Sequence, residues 1–284
     1  MHSQPKHNLL DLSGQVIAVA GGGSVAPGWS IGRAACVSYA RQGAKVCVID
    51  RDLASAQETV RLVAQEGGSA LAYQADMAQD ADIAAVFAQL LAEHQRLDVL
   101  HYNVGIGKTG GPLETSLDDW DRIHAVNLRS LLSCTQQVLP QMLRQGRGSI
   151  IAISSVAGQR YIGYPHLAYS VSKAALIQFM RMLAQQYAAQ GIRANTVVPG
   201  LIDTPRIAST VAKMFAASDL EAAKQARAEQ VPMRRMGSAW AAPGKWPTPA
   251  FFWPPKPRLT SPAPSWWWMA ASPANTCRTG WLLC

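Results

Sequence analysis

Tyr169 and Lys173 stand four residues apart in Tyr169-Ser170-Val171-Ser172-Lys173. That spacing puts a phenol and an ammonium one turn apart on the same face of a helix. An ammonium beside a phenol favours the phenolate, which makes a tyrosine a usable proton acceptor near neutral pH. Such pairs also occur on many solvated helices, so its weight depends on what else the chain brings near it. Upstream, Ile151-Ala152-Ile153-Ser154-Ser155 ends an apolar run in hydroxyls. Ser155 at that end could polarise a substrate carbonyl, with Ser154 as the alternative. Asn127, in Ala125-Val126-Asn127-Leu128, is a polar amide in an apolar helical stretch, and a buried amide requires a partner. His166 reads first as a loop histidine without a catalytic role, and second as a substrate contact.

A second constellation suits a dinucleotide. The run Gly21-Gly22-Gly23-Ser24-Val25-Ala26-Pro27-Gly28-Trp29-Ser30-Ile31-Gly32 precedes a helix beginning Arg33-Ala34-Ala35. Glycines let backbone amides approach a pyrophosphate, and the helix start adds unpaired N–H groups and positive dipole. A flexible loop would look similar, but Asp50 ends the next apolar run at about the expected distance. A carboxylate there accepts from both ribose hydroxyls of NAD and repels a 2′-phosphate, so NAD is expected over NADP, although Arg51 keeps NADP open. Asp76, followed by Met77, is placed to meet the adenine, and Asn103-Val104-Gly105 offers a small turn to the adenosine ribose. Pro199-Gly200-Leu201-Ile202-Asp203-Thr204 brings backbone and a hydroxyl to a carboxamide. No metal site is expected, since the five cysteines are scattered without a C-x-x-C pair.

These residues need a frame, and the chain supplies one between Gln15 and Val198. Val16-Ala20, Val46-Asp50, Leu71-Tyr73, Val99-Tyr102, Ile150-Ile153 and Ala194-Val198 read as strands. Helix-period stretches lie between them at 31–42, 52–66, 80–95, 118–143 and 168–190. Nearly continuous apolar strands imply burial on both faces. Strand–helix alternation implies a Rossmann-type α/β fold, a doubly wound parallel sheet in a single domain, with ligands outside the strands' carboxyl ends. The candidate residues follow strands, as that geometry demands.

The ordered set resembles the short-chain dehydrogenase/reductase family over residues 12 to about 238: a glycine-rich turn, N-x-G at Asn103, Asn127, Ser155, Y-x-x-x-K at Tyr169 and P-G-x-x-x-T at Pro199. The resemblance implies a nicotinamide-dependent alcohol dehydrogenase or ketone reductase. Tyr169 would be the acid/base, Lys173 would hold the nicotinamide ribose, Ser155 would steady the substrate oxygen, and Asn127 would anchor a relay water. Gly21, Ser30, Ile31, Gly32, Asp50, Asp76, Met77, Asn103, Gly105, Pro199, Gly200, Ile202 and Thr204 would join Tyr169 and Lys173 around the cofactor. The departures are Ala20 for the usual threonine, Ser30 for the middle glycine of a stretched phosphate loop, and Tyr102 for an asparagine. Ser155 also precedes Tyr169 by one residue more than the family pattern. The same site would serve an epimerase or dehydratase that recycles its cofactor, and an inactive nucleotide-binding module is the remaining alternative. The family also implies a homodimer or homotetramer formed through the 118–143 and 168–190 helices.

The substrate pocket is expected around residues 107–113, 161–166 and the stretch from Ile207 to Phe215. These are mostly uncharged, which suits a neutral, moderately apolar secondary alcohol or ketone. No apolar run approaches the roughly 18 residues of a membrane span, and the amino terminus lacks a signal-peptide core, so a cytoplasmic protein with reduced thiols is expected. The net charge is +8, but six basic residues and no acid follow Glu229, leaving +2 for residues 1–229. A basic tail of that kind gives little reason to expect nucleic acid.

That tail is anomalous. Seven of nine tryptophans and nine of seventeen prolines lie in residues 240–284, too Trp-rich for a disordered tail and too Pro-rich for strands. Trp266-Trp267-Trp268-Met269 must be encoded TGG TGG TGG ATG. Shifted to begin on the last base of the Ser265 codon, the same bases read NTG GTG GTG GAT GGC, an apolar residue followed by Val-Val-Asp-Gly. That is the final-strand signature expected of the resembling family. The expected division is therefore a Rossmann-type domain over 1–239 and a tail over 240–284 displaced by a frame change between about Trp240 and Trp253.

Overall fold

The computed structural model describes residues 11–206 of the 284. The expected pocket stretch from Ile207 to Phe215, the expected frame change and the last expected strand lie outside the described residues.

The described residues alternate strand and helix. In chain order they are β1 (Val16–Ala20), α1 (Ile31–Arg41), β2 (Lys45–Asp50), α2 (Leu53–Gln65), β3 (Ser69–Gln74), α3 (Asp80–His94), β4 (Val99–Tyr102), α4 (Leu117–His124), α5 (Ser130–Gln145), β5 (Gly148–Ile153), α6 (Leu167–Tyr187) and β6 (Ile192–Val197). The sheet is parallel in the order β3-β2-β1-β4-β5-β6. The order reverses between β1 and β4, and a crevice at such a switch point is where doubly wound sheets bind ligands.

All five residues of β1 and all four of β4 are buried, because helices cover both faces of the central strands. One apolar cluster joins Ala18, Phe87, Leu100, Leu131, Ile150 and Leu176, and the other joins Ile17, Val19, Cys36, Val46, Val63 and Ile151. Odd and even positions of β1 therefore serve opposite layers. Side chains start the helices: Ser30 accepts from the Arg33 amide, Asp52 from the Ser55 amide and Ser116 from the Asp119 amide.

The expected helix over 118–143 is divided. α4 ends at His124, a π turn occupies Ala125–Arg129, and α5 follows. The Ser130 N–H reaches back five residues to the Ala125 carbonyl. The Val126 carbonyl accepts instead from the Tyr102 and Ser130 hydroxyls, each at 2.7 Å. Such bulges often occur at functional sites, and this one carries Asn127. No helix among the described residues is long and apolar enough to cross a membrane.

Candidate active site

At the end of β1 the glycine turn is built by close approach. Gly21 has φ +77° and its amide donates to the Ile49 carbonyl. Its carbonyl accepts from Asn103 Nδ2 at 2.9 Å. A Cβ on Gly32 would lie 2.0 Å from that same carbonyl oxygen, so only glycine lets α1 begin this near β1 and β4. Ser30, in the middle-glycine position, both caps α1 and donates to the Gly23 carbonyl at 2.6 Å. Ile31 is then the first residue of the helix.

The stretched loop is secured at both ends. Ser24 N–H donates to Ser55 Oγ, whose hydroxyl donates back to the Ser24 carbonyl. The buried Arg33 side chain donates to the Gly28 carbonyl at 2.7 Å and to Thr59 Oγ1 at 3.2 Å. Sequence reading missed Arg33, Ser55 and Thr59 in this role, because their partners come from different elements.

Asp50 ends β2 with one carboxylate oxygen accepting from Gly23 N–H and the other from Asp52 N–H, at 2.9 and 3.1 Å. Beyond it, Arg51, Asp52, Gln74, Asp76, Asp82 and Gln89 line a groove of about 820 Å³ at the carboxyl ends of β2 and β3. Asp76 is half-buried there. Met77 differs from expectation in what it offers: its side chain is buried in the core against Cys134, so only its backbone is left for a nucleotide.

On the other side of the crevice, Lys173 extends from α6 to the end of β5. Its ammonium donates to the Ile153 carbonyl at 2.8 Å and the Val104 carbonyl at 3.4 Å. A Cβ on Gly105 would come within 2.9 Å of Nζ, so the Asn103–Gly105 turn needs its glycine. Burial brings Lys173 down to about 7, and the Arg206 guanidinium pushes the same way. Nζ lies 5.8 Å from the centre of the half-buried Tyr169 ring.

The two serines have different neighbours. Ser154 is buried and donates to the Lys173 carbonyl at 2.8 Å. Ser155 is half-buried, and its oxygen accepts from the Ala157 N–H at 3.2 Å, an arrangement that leaves its own proton to give. This separation favours Ser155 for a substrate oxygen.

Asn127 is fully buried. Its Nδ2 donates to the Ile106 carbonyl and to Ser172 Oγ, and its Oδ1 accepts from the Ile106 N–H. It thereby joins the turn after β4 to α6, and Ser172, adjacent to Lys173, is a partner that no residue pattern marks. Pro199 is buried and its carbonyl accepts from Val156 N–H, while Gly200 and Thr204 are half-buried and Ile202 is buried. The P-G-x-x-x-T segment thus lies against the residue after Ser155. Among the described residues no cluster of three metal-ligating side chains occurs.

A glycine cradle at the switch point, a carboxylate ending β2 and a Tyr–Lys pair across the crevice define a Rossmann-type oxidoreductase working with a nicotinamide cofactor. A family model described as Enoyl-(Acyl carrier protein) reductase matches residues 25–241. The chain is 38% identical over 202 residues to a 2,5-dichloro-2,5-cyclohexadiene-1,4-diol dehydrogenase from Sphingobium indicum, covering 70% of this chain and 77% of that protein. A solved structure from Burkholderia xenovorans, described as a short-chain dehydrogenase/reductase, superposes with TM-score 0.75 at 37% identity, covering 80% of this chain and 86% of that one. Another, from Beutenbergia cavernae and described as an NAD(P) dependent gluconate 5-dehydrogenase with bound NADP, gives TM-score 0.73 at 31% identity, covering 86% and 90%. The chain belongs to the short-chain dehydrogenase/reductase family, whose members transfer hydride between a nicotinamide and an alcohol or ketone.

Proposed function

We propose that the chain interconverts a neutral secondary alcohol and its ketone with NAD(H), using Tyr169 as acid/base. The observation that carries this reading is the tie from Lys173 Nζ to the Ile153 carbonyl, which sets the Tyr169 helix against the strand end bearing Ser155. In alcohol oxidation the Tyr169 oxygen takes the hydroxyl proton, and in ketone reduction it returns one. Ser155 donates to the substrate oxygen as its charge changes. Lys173, when protonated, places positive charge near the phenol and offers its ammonium to a ribose hydroxyl. Both N–H groups of the Asn127 amide are spent on Ile106 and Ser172, so a relay water at Asn127 would be held by its main chain.

The glycine turn supports a dinucleotide reading, since Cβ atoms at Gly21, Gly32 and Gly105 would meet Val104, the Gly21 carbonyl and Lys173 Nζ and force apart the turns that end β1 and β4. Gly21, Ser30, Ile31 and Gly32 would hold its pyrophosphate, Asp50 its adenosine ribose, and Asp76 with the Met77 backbone its adenine. Asn103 and Gly105 would border the ribose, and Pro199, Gly200, Ile202 and Thr204 the carboxamide. The nicotinamide, when bound, supplies the site that accepts or gives hydride. The Asp50 carboxylate supports NAD over NADP, because it would repel a 2′-phosphate.

Three buried free thiols, Cys36, Cys47 and Cys134, support a reducing cytoplasmic setting. Exposed Leu132 and Leu143 on α5, with Val171 and Met182 on α6, support subunit contacts through those helices. The family match ends at residue 241, which supports a domain ending near 239 and a frame change just beyond.

The deciding experiment is NADH formation with a panel of secondary alcohols, compared with Tyr169→Phe. Turnover abolished by that change carries the proposal. NAD binding without turnover would leave a nucleotide-binding module, and substrate interconversion without NADH release would indicate an epimerase.

A further inference from the structure

We propose that His166 is a positioning residue for Tyr169, stacking on the phenol and fixing the ring plane from which its hydroxyl exchanges a proton. The proposal rests on the assignment of Tyr169 as the acid/base. The imidazole is buried just before α6, and its ring centre lies 4.6 Å from that of Tyr169 with only 18° between the planes. Tyr164 also contacts the imidazole, at 5.6 Å and 37°.

The backbone holds this histidine firmly. His166 bridges to Gly110, whose carbonyl accepts from Leu167 N–H at 3.0 Å and whose N–H donates to Pro165 at 3.1 Å. The His166 carbonyl accepts from Ser170 N–H at 2.9 Å, so the residue also opens the Tyr169 helix. Gly107 gives independent support. A Cβ there would lie 2.6 Å from His166 Nε2 and 3.0 Å from Tyr169 Cδ2. The turn after β4 therefore closes on the edge of the stack, and glycine is what lets it.

A phenol at a helix start can turn about its side-chain bonds, and Lys173 at 5.8 Å from the ring centre does not fix its plane. Offset or parallel aromatic contact does, with a defined geometry. Small misplacements of a reacting group cost large factors in rate, so the stack acts on kcat and leaves cofactor binding alone.

The test compares His166→Ala, His166→Phe and Gly107→Ala in the full chain with NAD bound. The expected kcat loss for His166→Ala is roughly tenfold to a hundredfold, with the KM for NAD within about twofold and the melting temperature lower by a few degrees for the cavity left behind. His166→Phe restores most of kcat, because a flat ring is what is needed. Gly107→Ala reproduces the loss by forcing the stack apart, and carries the test should His166→Ala fail to fold. 3-Fluorotyrosine placed at position 169 reports the ring without turnover, and its fluorine resonance moves in His166→Ala and Gly107→Ala. A kcat for His166→Ala within twofold of wild type overturns the proposal, as does a folded Phe variant as impaired as Ala. If the wild-type chain turns over no alcohol, the acid/base assignment fails separately, and a fluorine signal unmoved by His166→Ala then overturns the stack.

Discussion

The Tyr102 hydroxyl donates to the Val126 carbonyl across 2.7 Å, joining the end of β4 to the residue before Asn127. Tyr102 stands where the family usually has asparagine, and it is fully buried. Its hydroxyl meets Ser130 as well, so one phenol braces the π turn from the sheet side. Tyr102→Phe keeps the ring in the core and removes only that brace. The expected cost is about 1 kcal/mol, seen as a melting temperature lower by roughly 2–4 °C. A melting temperature unchanged by the substitution would show that Ser130 holds the turn alone.

Ser154 and Ser155 separate by partner, and their alanine variants should separate by readout. Ser155→Ala removes a donor to the substrate oxygen, and kcat should fall by roughly a hundredfold or more at near-wild-type stability. Ser154→Ala breaks the bond to the Lys173 carbonyl and should cost about 1 kcal/mol of stability with a much smaller loss of kcat. Steady-state kinetics beside thermal melts distinguish the two, and the reverse pattern would move the catalytic hydroxyl to Ser154.

Sequence could propose both serines but not choose between them, because the choice depends on a contact with α6 nineteen residues away. The strands and most helix starts were readable, since short apolar runs and the helix-period stretches between them are local signals. The division of the 118–143 helix was not, because the π turn is stabilised from Tyr102 in a separate strand. Met77 was placed by its position after β3, while its side-chain direction is set by Cys134 in α5. His166 looked like a plain loop residue for the same reason: its stack on Tyr169 is a matter of ring planes, which spacing does not encode.

Lys173 yields a pH signature with a definite sign. Its ordinary value is 10.5 and burial, with Arg206, brings the folded group to about 7. Below about 7 both folded and unfolded chains carry the proton, and burying that charge weighs against the fold. Between about 7 and 10.5 the unfolded chain binds more protons, so stability contributed at this site rises with pH. In cofactor-free protein, the melting temperature of wild type minus that of Lys173→Met should therefore increase across that window. A difference that stays flat or falls would place the group's folded value at or above its ordinary one.

Asp50 should govern cofactor choice. Its carboxylate is the charge that a 2′-phosphate would meet, and it also anchors the glycine turn through Gly23. Asp50→Asn keeps the outline of the side chain but removes the charge and one of the two oxygens that accept from Gly23 N–H and Asp52 N–H, so the KM for NADP should fall and that for NAD should rise, by roughly tenfold in their ratio for each 1.4 kcal/mol of lost discrimination. A wild-type chain already preferring NADP would assign the selectivity to Arg51 instead.

The last prediction concerns the tail. β6 pairs only with β5 among the described residues, and Ile192 alone of its six residues is fully buried. Central strands of a parallel sheet are covered on both sides, as β1 and β4 are. The family match stops at 241, and the bases encoding Trp266 to Met269 spell an apolar residue and Val-Val-Asp-Gly in the adjoining frame. A central apolar strand is worth a large part of the roughly 5–15 kcal/mol by which a domain is stable. Resequencing the gene should reveal a one-base insertion or deletion between the codons of Trp240 and Trp253. The chain with its frame restored should then melt at higher temperature than the 284-residue chain. A gene reading Trp266 to Met269 in the frame of Tyr169, together with equal melting of the two chains, would refute the frame change.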